Sequence, residues 1–509
     1  MTNVREMIQN ARIAAVRNTD PGVEPARAWP IFGSTEVAAY GALGLGAPME
    51  EVFGTEPGSA VRATSSGAEG LRDVFEFERS EALPLVGGLS HHPVDNQNLW
   101  IAVDDGKLIV ADSDEHAILL ALIAGKTPIL AAMELALDRE HDPDAVWMTT
   151  LKLIARLAAA GMIQGVRGYH AVKKIRPNSF ARFHMTNRCQ LECIHCYTNS
   201  SPKVSSDGEL TPERWIALVD AFADNGGEKI LFTGGEALVY RGCIDVMRRA
   251  KQRGLEVTLF SNGILIKRYL EDLKEVADIV QISLDGPDEA SHDTVRGRGS
   301  FKKAIAAIEL LLQAGFETRV STTIMMNNWK AIRDGFPKLI DRFADRHLSF
   351  RVSYGTMSHG RGEALEHGLN ESEVRSYVDG LLSRVKTTED RDSGINVVQK
   401  IIGCGYAEQL VVAPNGGVYP CHLMSGLLGH VDQMPMQDIT DYLKRTAEAF
   451  SVRHRKGCGT CDLRNLCGGS CRVEDEKTTG SRLITTCSNE DKLRKKRFLV
   501  RRYDPRRAR

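Results

Sequence analysis

Three cysteines within eight residues constrain this chain more than anything else in it. Cys189, Cys193 and Cys196 stand at C-x3-C-x2-C spacing in Cys189-Gln190-Leu191-Glu192-Cys193-Ile194-His195-Cys196-Tyr197, directly after the strand-like run Ser179-Phe180-Ala181-Arg182-Phe183-His184-Met185. Thiolates are soft ligands that suit iron–sulfur clusters or zinc. A four-iron cluster gripped by three thiolates keeps one iron free of protein, and that iron can bind a reactant. A structural zinc ion usually wants four ligands in two knuckles. This loop supplies three thiols and one weakly placed histidine, His195. An open cluster is the better match, with zinc as the alternative.

The chain has eleven cysteines in all; seven more fall between 404 and 487, and Cys243 stands alone as an ordinary core or surface residue. The first residues carry no apolar signal segment, so clustered thiols in so long a chain point to metal rather than disulfides, and to the cytoplasm. The formal net charge of -1 gives no field for nucleic acid or an anionic membrane. No run is long and apolar enough to span a bilayer.

Residues 1–85 suggest only the cap of a short helix at Gly33-Ser34-Thr35-Glu36 and a break at Gly41, Gly44, Gly46 and Pro48. Beyond them, Leu99-Trp100-Ile101-Ala102-Val103 and Lys107-Leu108-Ile109-Val110-Ala111 flank an Asp105-Gly106 turn, a hairpin signal. Helices are expected over 115–123, 129–137 and 144–160, ending at Gly161, which suits a small winged-helix module. From 179 to about 355 strands and helices alternate, with strands at 229–233, 257–260, 279–283, 317–325 and 348–352. Such alternation predicts a parallel sheet whose functional loops lie at the carboxyl ends of the strands. Gly234-Gly235-Glu236, Ser261-Asn262-Gly263 and Ser283-Leu284-Asp285-Gly286 fall there. Each alone is a common turn. Jointly they suggest a ligand site: Gly234 and Gly235 permit close backbone approach, Glu236 accepts from an ammonium, and Arg296 pairs with a carboxylate.

The three-cysteine loop, Gly234-Gly235-Glu236, Ser283-Leu284-Asp285-Gly286-Pro287, His292-Asp293 and Arg296-Gly297 together resemble the radical S-adenosylmethionine superfamily over roughly 179–355. The resemblance implies a partial (β/α)6 TIM-like barrel. It implies that Cys189, Cys193 and Cys196 ligate a [4Fe-4S] cluster whose open iron chelates the amino and carboxylate groups of S-adenosylmethionine. Reductive cleavage then yields a 5′-deoxyadenosyl radical that abstracts a substrate hydrogen. Gly234, Gly235 and Glu236 would meet the methionine amino group, and Ser283 and Arg296 the ribose or carboxylate. Asn262 is counted with these contacts. His195 takes the usually aromatic place that contacts adenine, and Tyr197 packs over the cluster.

The run Leu108 onward through Gly125-Lys126-Thr127 to Gly161-Met162-Ile163 resembles the peptide-recognition domain of the pyrroloquinoline quinone pathway, in which a leader peptide pairs with a sheet edge. The plainer reading is a purely structural winged helix. The C-terminal cysteines resemble the SPASM extension, including Gly416 five positions before Cys421. Cys458, Cys461, Cys467 and Cys487 would fully ligate one auxiliary cluster. Cys404, Cys421 and Cys471 would hold a second, with an open iron or a borrowed ligand, because Val397-Val398-Gln399-Lys400-Ile401-Ile402-Gly403 lacks the extra cysteine of some relatives. His422 stands where sulfatase-maturing relatives carry an aspartate base; it is a candidate catalytic base or a neighbour of the cluster. The basic run with Arg494, Lys495, Lys496, Arg497, Arg501 and Arg502 either attracts an acidic partner or is simply a solvated face.

The expected architecture is α/β: an extension over 1–85, a winged-helix-like domain over 86–172, the barrel over 173–365, and a cysteine-rich iron–sulfur domain with a basic tail over 366–509. The expected activity is maturation of a precursor peptide or small protein by hydrogen abstraction, forming a thioether or carbon–carbon cross-link. Three [4Fe-4S] clusters, S-adenosylmethionine and a flavodoxin or ferredoxin reductant are implied. The alternatives are maturation of a protein-derived quinone in a dehydrogenase subunit, formylglycine formation in a sulfatase, and a metal-binding redox module that is not an enzyme.

Overall fold

The computed structural model describes residues 61–64, 74–77, 80–166, 179–343, 348–354, 359–365, 368–369, 373–374, 377–378, 381, 401 and 403–504. The expected helix cap at 33–36, the break near Pro48 and the expected boundary at 172/173 lie outside them. Strands β1 (Val61–Thr64) and β2 (Val74–Phe77) form an antiparallel ribbon.

β3 (Leu89–Val94), β4 (Gln97–Ala102) and β5 (Lys107–Ala111) form a three-stranded antiparallel sheet in that order. The expected hairpin is β4 and β5; β3 is an addition, disguised by His91, His92 and Pro93. Helices Ser113–Ile123, Pro128–Asp138 and Pro143–Ala159 follow. Their starts are locally encoded. Asp112 and Glu115 make a capping box, and Thr127 and Asp142 each cap a helix whose first residue is proline.

The unbroken apolar run in β4 has a physical consequence, because a strand apolar on both sides must be covered on both faces. Trp100, Ala102, Ile109 and Ala111 pack with the three helices. Leu99, Ile101, Leu108 and Val110 pack instead with Leu463, Leu466, Leu499 and Val500, from the far end of the chain. The basic run is thus no loose tail. It forms the helix Asn489–Tyr503, capped by Ser488 and laid on the sheet, where Lys496 Nζ lies 3.0 Å from His92 Nδ1. Asn465 Nδ2 completes the join by donating to Val103 O at 2.7 Å.

The largest sheet has nine strands. Six of its parallel strands lie in sequence order: β6 (Phe180–His184), β7 (Lys229–Thr233), β8 (Glu256–Ser261), β9 (Ile279–Ser283), β10 (Glu317–Ile324) and β11 (Leu348–Tyr354). Helices alternate with them and share one core with Ala181, Phe183, Ile230, Phe232, Val257 and Leu259. This is the partial (β/α)6 barrel. β12 (Leu410–Val412) joins β6 in parallel, and β13 (Gly417–Tyr419) and β14 (Gly429–His430) continue the sheet. The second cysteine field is therefore fastened to the barrel through β6. No helix among the described residues is long and apolar enough to cross a membrane.

Candidate active site

The cysteine loop leaves the carboxyl end of β6 and is held by backbone bonds from three directions. Cys189 N donates to Ser201 O at 3.2 Å, and Ile194 N donates to Val295 O at 3.0 Å. Arg361 N donates to Cys196 O at 3.0 Å, while its guanidinium donates to Cys193 O at 2.9 Å and Ser200 O at 2.7 Å. Arg361 is a clamp that sequence reasoning missed, since one arginine in a glycine-rich stretch carries no local signal.

Gly234 and Gly235 press on the root of the same loop. A Cβ on Gly235 would stand 2.4 Å from Arg188 O, and one on Gly234, whose φ is 143°, would stand 2.3 Å from Thr186 O. Gly235 N donates to Thr186 O at 2.7 Å, and Glu236 N to Arg188 O at 3.0 Å. The glycines let the end of β7 lie against the backbone that starts the cysteine loop. Gly235→Ala is expected to keep the barrel's circular dichroism and displace the loop, lowering bound iron by about four atoms per chain. An iron count equal to that of the unaltered protein would refute this role.

Glu236 is fully buried and accepts from Asn262 N at 2.8 Å. Burial pushes its carboxyl up to about 7, against the lowering by that bond. Asn262 Nδ2 lies 3.6 Å from Cys189 Sγ and donates to Gln190 Oε1 at 3.1 Å. Asp285 is also fully buried, accepting from Arg296 Nε at 2.6 Å and Thr323 N at 2.8 Å, with His195 Nε2 at 3.5 Å. Burial pushes Asp285 up, but Arg296 and His195 outweigh it and leave it below the usual carboxylate range. Arg296 Nη1 also reaches Cys193 Sγ at 3.9 Å. Arg296, His195, Asn262 and Glu236 thus surround the thiols, with Ser283 half-buried at the end of β9. Tyr197 stands edge-on to His422, ring centroids 5.8 Å apart. Burial lowers His195 to about 4 and His422 to about 4, so both are neutral at pH 7 and His422 is a weak base.

The donor set fits a thiolate-held cluster with a ligand beside it. All eleven cysteines are free. Burial raises Cys189 to about 11 and also raises Cys193, so a metal must displace their protons. Gln190 Nε2 and His195 Nδ1 are buried without a partner. Unpartnered buried polar atoms beside thiols fit a site that holds a polar ligand. His195 is turned to Asp285. No group of three or more His, Cys, Asp or Glu among the described residues is arranged for a single metal ion.

The later cysteines gather in two sets. Cys404 and Cys471 both act electrostatically on Cys421, and Cys467, Cys458 and Cys461 act on Cys487. Cys421 is buried, pushed up to about 11, and Cys404 is exposed. Cys243 sits in the barrel core, its Sγ 3.8 Å from Met247 Sδ.

Residues 183–331 match the radical SAM superfamily. The Fe-coproporphyrin III synthase of Methanosarcina barkeri is 30% identical over 342 residues, covering 59% of this chain and 84% of that protein. The antilisterial bacteriocin subtilosin biosynthesis protein AlbA of Bacillus subtilis is 29% identical over 303 residues, covering 57% of this chain and 66% of that protein. The crystal structure of Streptococcus suis SuiB bound to S-adenosylmethionine shares the fold, with a TM-score of 0.51 and 16% identity over 79% of this chain and 99% of that one. With a three-cysteine loop at the mouth of a six-stranded parallel barrel and these relatives, the chain belongs to the radical SAM superfamily and is a radical SAM enzyme.

Proposed function

We propose that this enzyme matures a ribosomally made precursor peptide, taking a hydrogen atom from a residue of the peptide and closing a thioether or carbon–carbon cross-link. The observation that carries the reading is the helix-covered β3–β5 sheet, packed on the C-terminal cysteine field that β12 ties to the barrel. Such a sheet can take up an extended leader segment at its edge through main-chain bonds. The likeness to AlbA points the same way.

When bound, a cluster on Cys189, Cys193 and Cys196 with S-adenosylmethionine supplies a carbon radical that removes hydrogen. The chain's own residues orient these groups. Arg361 fixes the loop, Asn262 and Arg296 stand against two of the thiols, and the Asp285–Arg296 pair positions His195. In this reading Gly234, Gly235, Glu236 and Ser283 line the S-adenosylmethionine site. Cys458, Cys461, Cys467 and Cys487 would hold an outer auxiliary cluster and Cys404, Cys421 and Cys471 an inner one, groups that would supply one-electron redox chemistry there. Free thiols in this number suit a reducing cytoplasm with a flavodoxin or ferredoxin donor.

A second reading, chemistry on an iron tetrapyrrole, is favoured by the 30% identity to the Fe-coproporphyrin III synthase, whose product by name is iron coproporphyrin III, and by the 26% identity to the AdoMet-dependent heme synthase of the same organism. The deciding experiment uses the full chain, reconstituted anaerobically, with a precursor peptide encoded beside it or with iron coproporphyrin III. Loss of hydrogen from the peptide, coupled to S-adenosylmethionine cleavage, is expected. The leader-bearing peptide should bind at least about tenfold, or about 1.4 kcal/mol, more tightly than its core alone. Turnover of the porphyrin with an inert peptide would reverse the assignment. Deleting the first 170 residues is not a clean test, because it would uncover Leu463, Leu466, Leu499 and Val500.

A further inference from the structure

The barrel strands alternate, so the residues between core positions point into the lumen. On β6, Ala181 and Phe183 pack with the outer helices, which turns Arg182 and His184 inward. Phe350 packs outward on β11 and Val320 on β10, which turns Arg351 and Arg319 inward. β6 and β11 stand at opposite ends of the β6–β11 series, yet the charge of Arg351 acts on Arg182, and the charges of both act on His422. The sheet curls enough to bring them to one enclosed space.

That space is short of negative charge. Arg319 has Glu317 at 3.4 Å, whereas Arg182 and Arg351 have no carboxylate partner among the described residues. Arg182 faces the Phe260 ring at 5.8 Å and hydrogen-bonds with the Tyr197 side chain. Arg182 Nε, Arg319 Nε and both ring nitrogens of His184 are buried without partners, although His184 has no solvent exposure. Arg351 retains substantial contact with solvent, so the space is open on that side. Burial is the main force lowering Arg182 and Arg351 from the ordinary arginine range, and neighbouring arginines add to it. An enclosed cation without counter-charge, as Arg182 is, is costly, and is kept where a ligand supplies the charge.

We propose that Arg182 and Arg351 grip a carboxylate of the substrate inside the barrel, and that in the peptide this is the side chain of an aspartate or glutamate. Guanidinium forks match a carboxylate in two-point geometry. The position suits a reacting residue: Tyr197 follows Cys196 in the chain, and the charge of Arg182 also acts on Cys421. A carboxylate here lies between the first cysteine loop and the inner auxiliary set. The peptide source rests on the function proposed above; a porphyrin propionate would bring the same chemistry.

Equilibrium dialysis of the full chain separates these sources, using N-acetylglutamate amide, N-acetylglutamine amide and iron coproporphyrin III as probes. The glutamate probe is expected to be retained at least about tenfold more strongly than its neutral glutamine counterpart. Arg351→Gln, at the open side, and Arg182→Gln should each abolish that preference. Equal retention of the two amino-acid probes, or an unchanged preference in Arg351→Gln, would overturn the proposal. Porphyrin retention that depends on both arginines, with no retention of the glutamate probe, would overturn the peptide source. An arginine-dependent preference for glutamate in a protein that modifies no peptide would sustain the carboxylate site and remove the peptide-maturase reading. Unimpaired modification of a peptide stripped of its acidic residues would do the reverse.

Discussion

Alanine in place of Cys193 will cost the protein about four iron atoms per chain and reduce S-adenosylmethionine cleavage to background. Cys193 is one of the three proposed donors on a loop whose backbone is already fixed by Val295, Ser201 and Arg361. Two thiols cannot retain a cluster that needs an open iron on its fourth corner. The loop should survive the substitution, because its bonds to the barrel run through the main chain. Cys243→Ala is the matched control: it also removes a buried thiol, but from the core beside Met247. It should keep both iron and cleavage. Iron assay, electron paramagnetic resonance of the reduced protein and chromatography of 5′-deoxyadenosine give three independent readings. Zinc without iron in the unaltered protein, or undiminished cleavage by Cys193→Ala, would defeat the assignment of this loop.

How far such a site is legible in sequence depends on whether its signal is local. The thiol spacing is local, and the strand ends at Gly234, Asn262 and Ser283 follow from short apolar runs such as Lys229–Thr233. The inward turn of Arg182 was also available, because a charged residue between Ala181 and Phe183 must face away from their core. Its lack of a partner was not, since that depends on β11, about 170 positions away. The glycines were legible as points of close approach, but not as points of approach to Thr186 and Arg188. The basic run misled for a different reason. Its charge hid Phe498, Leu499, Val500 and Tyr503, which form the stripe that covers β3–β5. Composition reports the exposed face of such a helix, and only the unbroken apolar run of β4 signals that something must cover the other side of the sheet.

The second large effect is expected far from the first loop, at Asp475. Asp475→Ala should destabilise the cysteine-rich region by about 3–5 kcal/mol, the usual cost of leaving one member of a buried ion pair alone. Arg455 and Asp475 are both entirely enclosed and bonded to each other. Asp475 Oδ1 accepts from Thr486 N at 3.0 Å and Thr486 Oγ1 at 2.6 Å, and its Oδ2 accepts from Ser470 Oγ at 2.6 Å. Arg455 Nε donates to Arg482 O at 3.0 Å, and its Nη1 lies 3.8 Å from Cys458 Sγ. Ser470 and Thr486 directly precede Cys471 and Cys487. One carboxylate therefore aligns the segments that present three cysteines, and those three fall in both of the later cysteine sets, the proposed holders of auxiliary clusters. Its loss should release iron from these sets and leave the first cluster able to cleave S-adenosylmethionine. The double variant Arg455→Met with Asp475→Leu should recover part of the lost stability, because no lone charge remains buried. It should not recover the iron, since the bonds to Thr486 and Ser470 are still missing. Denaturant melts and iron counts on the single and double variants separate the two effects. A single variant as stable as the parent, or a double variant that regains its iron, would show that the thiols are held in place by something other than this pair.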